Sequence, residues 1–521
     1  MNQKKGDKPV KKAGPQRSLN QILAWIDQPP VAKDRPVSGL CLDTRRLRAG
    51  DVFLAMSGHQ IHGFDFAYQA QRAGAVAILA ETPRADRAKP KSRREPLDIP
   101  VIEVEDLSAR LGHLAAGWHG DPSQKMAVTA VTGTNGKTSV AWLLLQAWEA
   151  LGHRAAYVGT LGQGDMQGLS PLKNTTPSAL EMQALLADFL DRGCERVSVE
   201  VSSHALSQGR DKGLRLKNAI FTNLSRDHLD YHSTMAEYQQ AKARLFAHQE
   251  LQNAIINQDD PAGRDISRQL PGSVRLWPYA ASGQLADSHP SSLAVLAENV
   301  RLHPAGLDFS LCLTDEAGGV CQQVPIATRL FGHFNVDNLL AVAATLLAEG
   351  ESFSDVARVL PLLQPVPGRM NLVDHAEEGP LIVVDYAHTP DALEQVLKAL
   401  KQHNARKIWC VFGCGGNRDK GKRPQMGHIA EKLADEVILT DDNPRFEDGN
   451  AIIDDIKFGM LSQPRVIRNR QKAIEHVIQN ASPSDLILIA GKGHEAWQEV
   501  QGEYLPFDDR QVARVALERC A

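Results

Sequence analysis

The sequence is poor in several things, and each shortage excludes a class. Seven cysteines are spread over 521 residues, with no paired CxxC clusters. They point to free thiols in a reducing compartment, and Cys410 and Cys414, flanking the start of a glycine loop, read as structural. Net charge is small, formally −4, which argues against a general nucleic-acid binder. No apolar run approaches the length that spans a bilayer. The basic opening stretch, residues 1–17, lacks the apolar core of a signal peptide and reads as a solvated, disordered extension. Solenoid-period repeats are absent, and so are low-complexity tracts beyond that extension. A cytoplasmic protein is expected, with neither nucleic acid nor membrane as partner. What is present is ordinary globular composition, 43% hydrophobic and 23% charged, in a chain too long for one core.

The most informative stretch is 126–151. An apolar, β-branched run, Ala127–Thr132, breaks into the turn Gly133, Thr134, Asn135, Gly136. Lys137, Thr138 and Ser139 follow, then Val140, Leu143, Leu144 and Trp148 at helical spacing. Strand, glycine turn, Lys-Thr and helix make a phosphate cradle, with backbone N–H groups and a helix N-terminus facing phosphate oxygens. Lys137 would reach the β/γ-phosphates and the Thr138 hydroxyl would ligate Mg²⁺. Val131 stands where the strict P-loop spacing asks for glycine, so this is a variant loop. It predicts binding of ATP or GTP.

Along the chain the pattern predicts an α/β protein of three domains. A small N-terminal α/β substrate domain covers 18–106, with strands at Asp51–Ala55 and Val76–Ala80, a helix at Gln69–Ala73 and an exposed Pro- and Arg-rich loop at Pro83–Pro96. A central P-loop-type ATPase domain with a mostly parallel sheet covers 107–364. Its further strands are expected at Arg196–Ser202, Ala219–Leu224 and Ala254–Asn257 with helical stretches between, and 291–325 looks like an antiparallel appendage. After a Pro/Gly hinge at 364–370, a C-terminal Rossmann-like α/β domain covers 365–521. Its strands are expected at Leu381–Asp385, Lys407–Phe412, Glu436–Thr440 and Asp485–Ala490.

Polar clusters stand at the predicted strand ends, where open α/β sheets place ligands. Asn174, Thr175 and Thr176 form one. Glu200, on an apolar strand, needs either a cation ligand such as Mg²⁺ or a buried salt bridge. Ser202, Gln208 and Arg210 could line the same crevice. Asp227 and His228 could serve a metal, or His228 could be structural; Lys242 is unremarkable from spacing alone. Asp385 would bond a ribose hydroxyl or act only as a cap. The basic glycine loop Gly413–Pro424 would receive an anionic group or be a surface loop. Asp442, Asn443, Pro444 and Arg445 follow one strand, and Gly491 to Glu495 follow another. Arg445 offers a planar fork for a carboxylate and Glu495 a partner for an ammonium group, together suiting an amino-acid zwitterion.

Taken together, from about Leu40 onward and in matching order, these motifs resemble the Mur ligases, ATP-dependent amide-forming enzymes of peptidoglycan precursor synthesis. The resemblance implies that Gly133–Ser139, Asn335, Asn338, Arg369 and Asp385 bind ATP. It implies that Thr44 (where relatives commonly show Ser), Asn174, Thr175, Thr176, Ser202, Gln208 and Arg210 bind a UDP-N-acetylmuramoyl-L-Ala-D-Glu substrate. Lys242 would be carboxylated by CO₂ and, with Glu200 and His228, hold a second Mg²⁺, the first resting on Thr138. Lys137, Glu200, His228 and Lys242 are thus the catalytic set. The Asp-Asn-Pro-Arg tetrad resembles the diaminopimelate-selective pattern, so Arg418, Asp442, Asn443, Pro444, Arg445, Gly491 and Glu495 would bind meso-diaminopimelate. Lysine lacks its distal carboxylate, and a buried arginine left without a partner costs roughly 2–5 kcal/mol.

The expected chemistry is phosphoryl transfer from ATP to the D-glutamyl carboxylate, then attack of the amine on the acyl phosphate. Three alternatives stay open: a lysine-adding relative, a folylpolyglutamate synthetase-like ligase, and a nucleotide-binding protein without turnover. The N-terminal unit and the Asp-Asn-Pro-Arg tetrad are not expected of a folylpolyglutamate synthetase.

Overall fold

The computed structural model describes residues 17–58, 60–82, 96–285, 293–303, 305–315, 318–373, 379–403 and 405–520. Residues 1–16 of the basic extension and 83–95 of the Pro/Arg-rich loop lie outside the described residues, but Arg17, expected in the disordered extension, pairs with Val37 in a short antiparallel strand. By packing, the chain divides into two compact units that alternate along the sequence. One is Met1–Ala130, Arg154–Lys217 and His228–Leu251; the other is Val131–His153, Asn218–Asp227 and Gln252–Ala521.

In the first unit, strands Gly39–Cys41, Asp51–Ala55, Ala77–Glu81 and Val101–Val104 form a parallel sheet in that order. Parallel sheets need cover on both faces, and alternate side chains serve the two. Val52 and Leu54 pack with Leu19, Leu23, Leu114 and Trp118, while Phe53 and Ala55 pack with Phe64, Ala67 and Ala70. The strand expected at Val76–Ala80 runs one residue later. Farther on, Arg196–Glu200 pairs in parallel with Ala155–Gly159, which continues through an antiparallel meander, Gly162–Asp165 and Gly168–Ser170. The sequence reading had only helix before Arg196. Gly159, Gly162, Gly164 and Gly168 make this stretch too permissive for one, and the helix begins later, at Ala179–Asp191, behind a Ser178–Glu181 capping box.

The second unit carries helix Lys137–Ala150, buried from Val140 through Trp148. Strands Asn218–Phe221, Asn253–Asn257 and Arg275–Ala280 run parallel, and Val295–His303 joins the last of them. Val295–His303, Gly306–Thr314 and Val320–Thr328 then make the antiparallel appendage expected from 291–325. A six-stranded sheet follows, ordered Asn371–Leu372, Leu381–Asp385, Leu486–Ala490, Ile408–Phe412, Glu436–Leu439 and Arg465–Val466, parallel except at its first strand. Its four central strands lie within one residue of expectation. A hairpin, Trp497–Val500 with Glu503–Pro506, was not anticipated; it turns at Gln501 and Gly502, both at positive φ.

One ion pair ties the last helix to this sheet. Arg470 and Asp509 are both fully buried, joined Nε to Oδ1 at 2.7 Å and Nη2 to Oδ2 at 2.8 Å. Nη2 also donates to the carbonyl of Ala490 at 3.0 Å. Removing one partner strands a buried charge, so Asp509→Ala should lose about 3–5 kcal/mol of stability. Urea denaturation followed by circular dichroism would measure this, and an unchanged midpoint would show that the pair carries no stability.

Candidate active site

The phosphate loop is held by the strand beside it. Thr134 N–H donates to Asn223 O (2.8 Å), Asn135 N–H to Asn223 Oδ1 (2.9 Å) and Ser225 N–H to Thr134 Oγ1 (3.0 Å). Thr222 Oγ1 donates to Asn135 O. Gly133 has φ +148°, and a Cβ there would overlap Thr222 Oγ1, so only glycine fits. Lys137, at the first turn of the helix, folds back to donate to Gly133 O at 2.9 Å and Thr134 O at 2.8 Å. Asn335 and Asn338 are both buried: Asn338 Nδ2 donates to Asn335 Oδ1 (2.9 Å), and Asn335 Nδ2 to Phe331 O (2.7 Å). Beside them, Asp337 has its pKa raised to about 7 by burial and then by the charge of Asp259. Sequence reading missed it, because a lone acid early in a helix reads as an ordinary dipole complement.

In the first unit, Glu200 ends its strand fully buried. Tyr157 Oη donates to Oε1, as does Thr160 N–H at 2.8 Å, and Thr160 Oγ1 donates to Oε2 at 3.2 Å. These described donors are neutral; they orient the carboxylate as a ligand would need. Thr176 Oγ1 donates to Glu200 O (2.9 Å), Ser202 N–H to Thr176 Oγ1 (3.1 Å) and Arg210 Nη1 to Thr176 O (2.8 Å). Arg210 Nε also holds Gln208 Oε1 at 2.9 Å, and Thr175 Oγ1 lies 3.3 Å from Thr160 Oγ1. Thr175, Thr176, Ser202, Gln208 and Arg210 thus converge on Glu200. Asn174 is the exposed neighbour of Thr175, and Thr44 lies in the turn after strand Gly39–Cys41; no described contact ties either to the group.

A ring cluster stands close by in sequence. His204 meets His228 edge-on at 5.0 Å between centroids, and His228 lies 6.0 Å from Tyr238. Lys242 is buried on helix Met235–Ala243, its Nζ 4.4 Å from the Tyr238 ring centre. Lys242 and His228 thus both neighbour the Tyr238 ring. His232 is buried among the same rings; burial, then the charges of His204, Lys242 and His228, hold its pKa below the usual value. Among the described residues no three His, Cys, Asp or Glu side chains form a metal site alone. A magnesium ion there would need oxygens from substrate or from a carboxylated Lys242, which fits the hard, oxygen-rich surroundings of Glu200.

In the six-stranded sheet, polar groups gather at the carboxyl ends of its strands. Asn443 Nδ2 donates to Glu495 Oε2 (2.9 Å), and the fully buried Lys492 donates to both Glu495 Oε2 (2.9 Å) and Asn443 Oδ1 (3.1 Å). Arg445, at φ +53°, gives Nε to Glu499 Oε2 (2.8 Å) and Nη1 to Gly416 O (2.9 Å). A Cβ on Gly491 would come within 2.5 Å of Asp442 Oδ2. Burial raises the Asp442 pKa against the opposing charges of Arg470 and Lys492. Pro444 lies within this loop, Arg418 is exposed on the neighbouring glycine loop, and Arg369 is exposed in the turn 367–370. Asp385 spends both oxygens on backbone: Met370 N–H at 2.7 Å and Ala387 N–H at 2.7 Å. A cap makes such bonds, and each oxygen keeps a lone pair for a further donor. Burial raises its pKa. Lys492 and Glu499 were missed. Lys492 was hidden as one more lysine in a glycine loop, while the alternating residues around Gln501-Gly502 could have revealed the hairpin that carries Glu499.

A phosphate cradle and a charged crevice, each at the carboxyl ends of parallel strands, are the construction of a nucleotide-dependent α/β enzyme. Comparison with known proteins narrows this. Residues 36–119 match the Mur ligase family catalytic domain, 131–346 the Mur ligase middle domain, and 368–493 the Mur ligase glutamate ligase domain. The chain belongs to the Mur ligase family and is an ATP-dependent amide-forming ligase of three α/β domains. It is 46% identical over 503 residues to a UDP-N-acetylmuramoyl-L-alanyl-D-glutamate–2,6-diaminopimelate ligase of Xylella fastidiosa, covering 96% of this chain and 97% of the relative. A solved structure bearing the same enzyme name aligns with TM-score 0.74 and 34% identity, over 97% of this chain and 99% of that one. Mycobacterium tuberculosis folylpolyglutamate synthase aligns at TM-score 0.52 and 19% identity, over 72% of this chain and 91% of its own, a likeness of fold alone.

Gly133→Ala should weaken ATP binding about tenfold or more, since the added methyl must push the loop off Thr222. Titration calorimetry with ATP measures this, and wild-type affinity would show that the loop's closeness to Thr222 does not shape the cradle.

Proposed function

We propose that this chain joins the amine of meso-diaminopimelate to the D-glutamyl side-chain carboxylate of UDP-N-acetylmuramoyl-L-Ala-D-Glu. The observation that carries this reading is the setting of Arg445. Glu499 occupies its Nε and Gly416 O one Nη1 proton, so Nη2 and the second Nη1 hydrogen remain for a carboxylate. A distal carboxylate is what diaminopimelate has and lysine lacks. Asn443, Gly491, Glu495 and the Asp442 backbone would complete the amino-acid end, with Pro444 fixing the loop and Arg418 reaching from the glycine loop.

In the first step a D-glutamyl carboxylate oxygen attacks the γ-phosphorus of ATP, and ADP leaves with the β–γ bridging oxygen. In the second, the diaminopimelate amine attacks the acyl carbon, its proton is lost, and the C–O bond to phosphate breaks as the amide closes. Two anions meet at the start, so charge neutralisation is the main task. Lys137 would exchange its two loop carbonyls for β- and γ-phosphate oxygens. Asn335 and Asn338 would face the adenine, and Arg369 and Asp385 the nucleotide from the C-terminal body. Thr44, Asn174, Thr175, Thr176, Ser202, Gln208 and Arg210 would hold the UDP-dipeptide, its carboxylate toward Glu200. Thr138 would hold one Mg²⁺, and Glu200, His228 and a carboxylated Lys242 a second; magnesium supplies Lewis-acid charge neutralisation on phosphate oxygens. On this reading residues 18–106 form the UDP-substrate domain, 107–364 the ATP domain and 365–521 the amino-acid domain, in a cytoplasmic monomer.

Phosphate release should require the UDP-dipeptide together with diaminopimelate, and lysine should fail. Equal use of lysine would make the chain a lysine-adding relative, and no turnover with either would leave a nucleotide-binding protein. Arg445→Ala should raise KM for diaminopimelate by about 30-fold or more while ATP affinity stays near wild type; equal loss of both would count against the assigned role. Lys242→Arg keeps the charge but cannot carry a carbamate. It should cut kcat by about 100-fold or more and abolish the carbamate ¹³C resonance of protein equilibrated with ¹³C-bicarbonate. Absence of that resonance from the wild type would refute the modification.

A further inference from the structure

His403 lies just past helix Pro390–Lys401 and is fully buried. Both ring nitrogens are engaged: Nδ1 donates to the carbonyl of His303 at 2.7 Å, and Nε2 accepts the backbone N–H of Gly332 at 2.8 Å. The ring also packs 4.7 Å from that of Phe331. A donor at one nitrogen and an acceptor at the other define one neutral tautomer, and burial holds its pKa below the usual value.

From Gly332 the contacts run on without a break. Gly332 O accepts the N–H of Asn335 at 3.0 Å, Asn335 Oδ1 accepts Asn338 Nδ2, and a Cβ on Gly136 would meet Asn338 Oδ1 at 2.8 Å. A buried amide needs an acceptor, and here a side chain from the C-terminal body supplies it. Contact is close on the other side too, since a Cβ on Gly332 would lie 3.1 Å from Ala399 Cβ of the same helix.

We infer that His403 is a positioning residue for the nucleotide: it fixes the 331–338 segment against the phosphate loop and makes ATP affinity depend on the seating of helix Pro390–Lys401. The inference rests on the reading of Asn335 and Asn338 as nucleotide-facing. Coupling of this kind is reciprocal, so bound ATP tightens the helix against Gly332 in return.

His403→Phe keeps a ring against Phe331 and removes both hydrogen bonds, whereas His403→Gln can retain a donor and an acceptor. In the full-length chain, His403→Phe should raise the ATP Kd about tenfold, with KM for the UDP-dipeptide within about twofold of wild type. His403→Gln should recover most of the loss. Wild-type ATP affinity in His403→Phe, or an equal rise in both constants, would overturn the inference. Asn338→Ala separates it from the reading beneath it. If that variant loses ATP and His403→Phe does not, only the inference falls; if Asn338→Ala binds ATP normally, both fall. Should His403→Phe not fold, Ala399→Val tests the same seat with His403 intact, and an unchanged ATP Kd there overturns the inference.

Discussion

Between Gly133 and Thr222 there is room for a hydrogen and nothing more, and the nucleotide site depends on that closeness. The turn's amides and hydroxyls are satisfied by Thr222, Asn223 and Ser225, so its shape is imposed by the adjacent strand. A loop held in this way keeps its shape before any phosphate arrives, and little ordering remains to be done on binding. Lys137 completes the arrangement by resting on two loop carbonyls, partners it can leave without stranding a charge.

A second constraint governs the C-terminal crevice, where charges are buried in compensating sets. Lys492, fully enclosed, shares Asn443 and Glu495; Arg445 leans on Glu499; Asp442 sits under Gly491 with Arg470 nearby. Burial of any one alone would be costly, but together their charges compensate. The outcome is a crevice in which the positions of several charges are set before any ligand arrives.

Much of this was legible in the chain beforehand, for identifiable reasons. Strands such as Asp51–Ala55 and Leu381–Asp385 are short apolar runs bounded by turn residues, a pattern that survives in any context. The phosphate loop was legible because glycines, lysine and threonine must sit at fixed spacing. What escaped was set by partners distant in sequence. Glu499 is an ordinary acid until the hairpin carries it to Arg445, and His403 looks like a helix-end residue until Gly332 meets it. The Gly162–Ser170 meander was missed because glycine-rich stretches carry no periodicity to read. Asp385 was left between two roles, and each of its oxygens accepts one backbone amide.

The Arg470–Asp509 pair has a consequence for biosynthesis. Arg470 Nη2 steadies the carbonyl of Ala490, the residue before Gly491, yet its counter-ion arrives only with the final helix. During translation the six strands of this sheet are made before Asp509 has left the ribosome. Until then the guanidinium lacks the carboxylate that holds it through two hydrogen bonds, and the Ala490 carbonyl beside Gly491 is less firmly held. The nascent chain can therefore acquire its phosphate cradle early, while the charged crevice gains its last support only when the final helix docks.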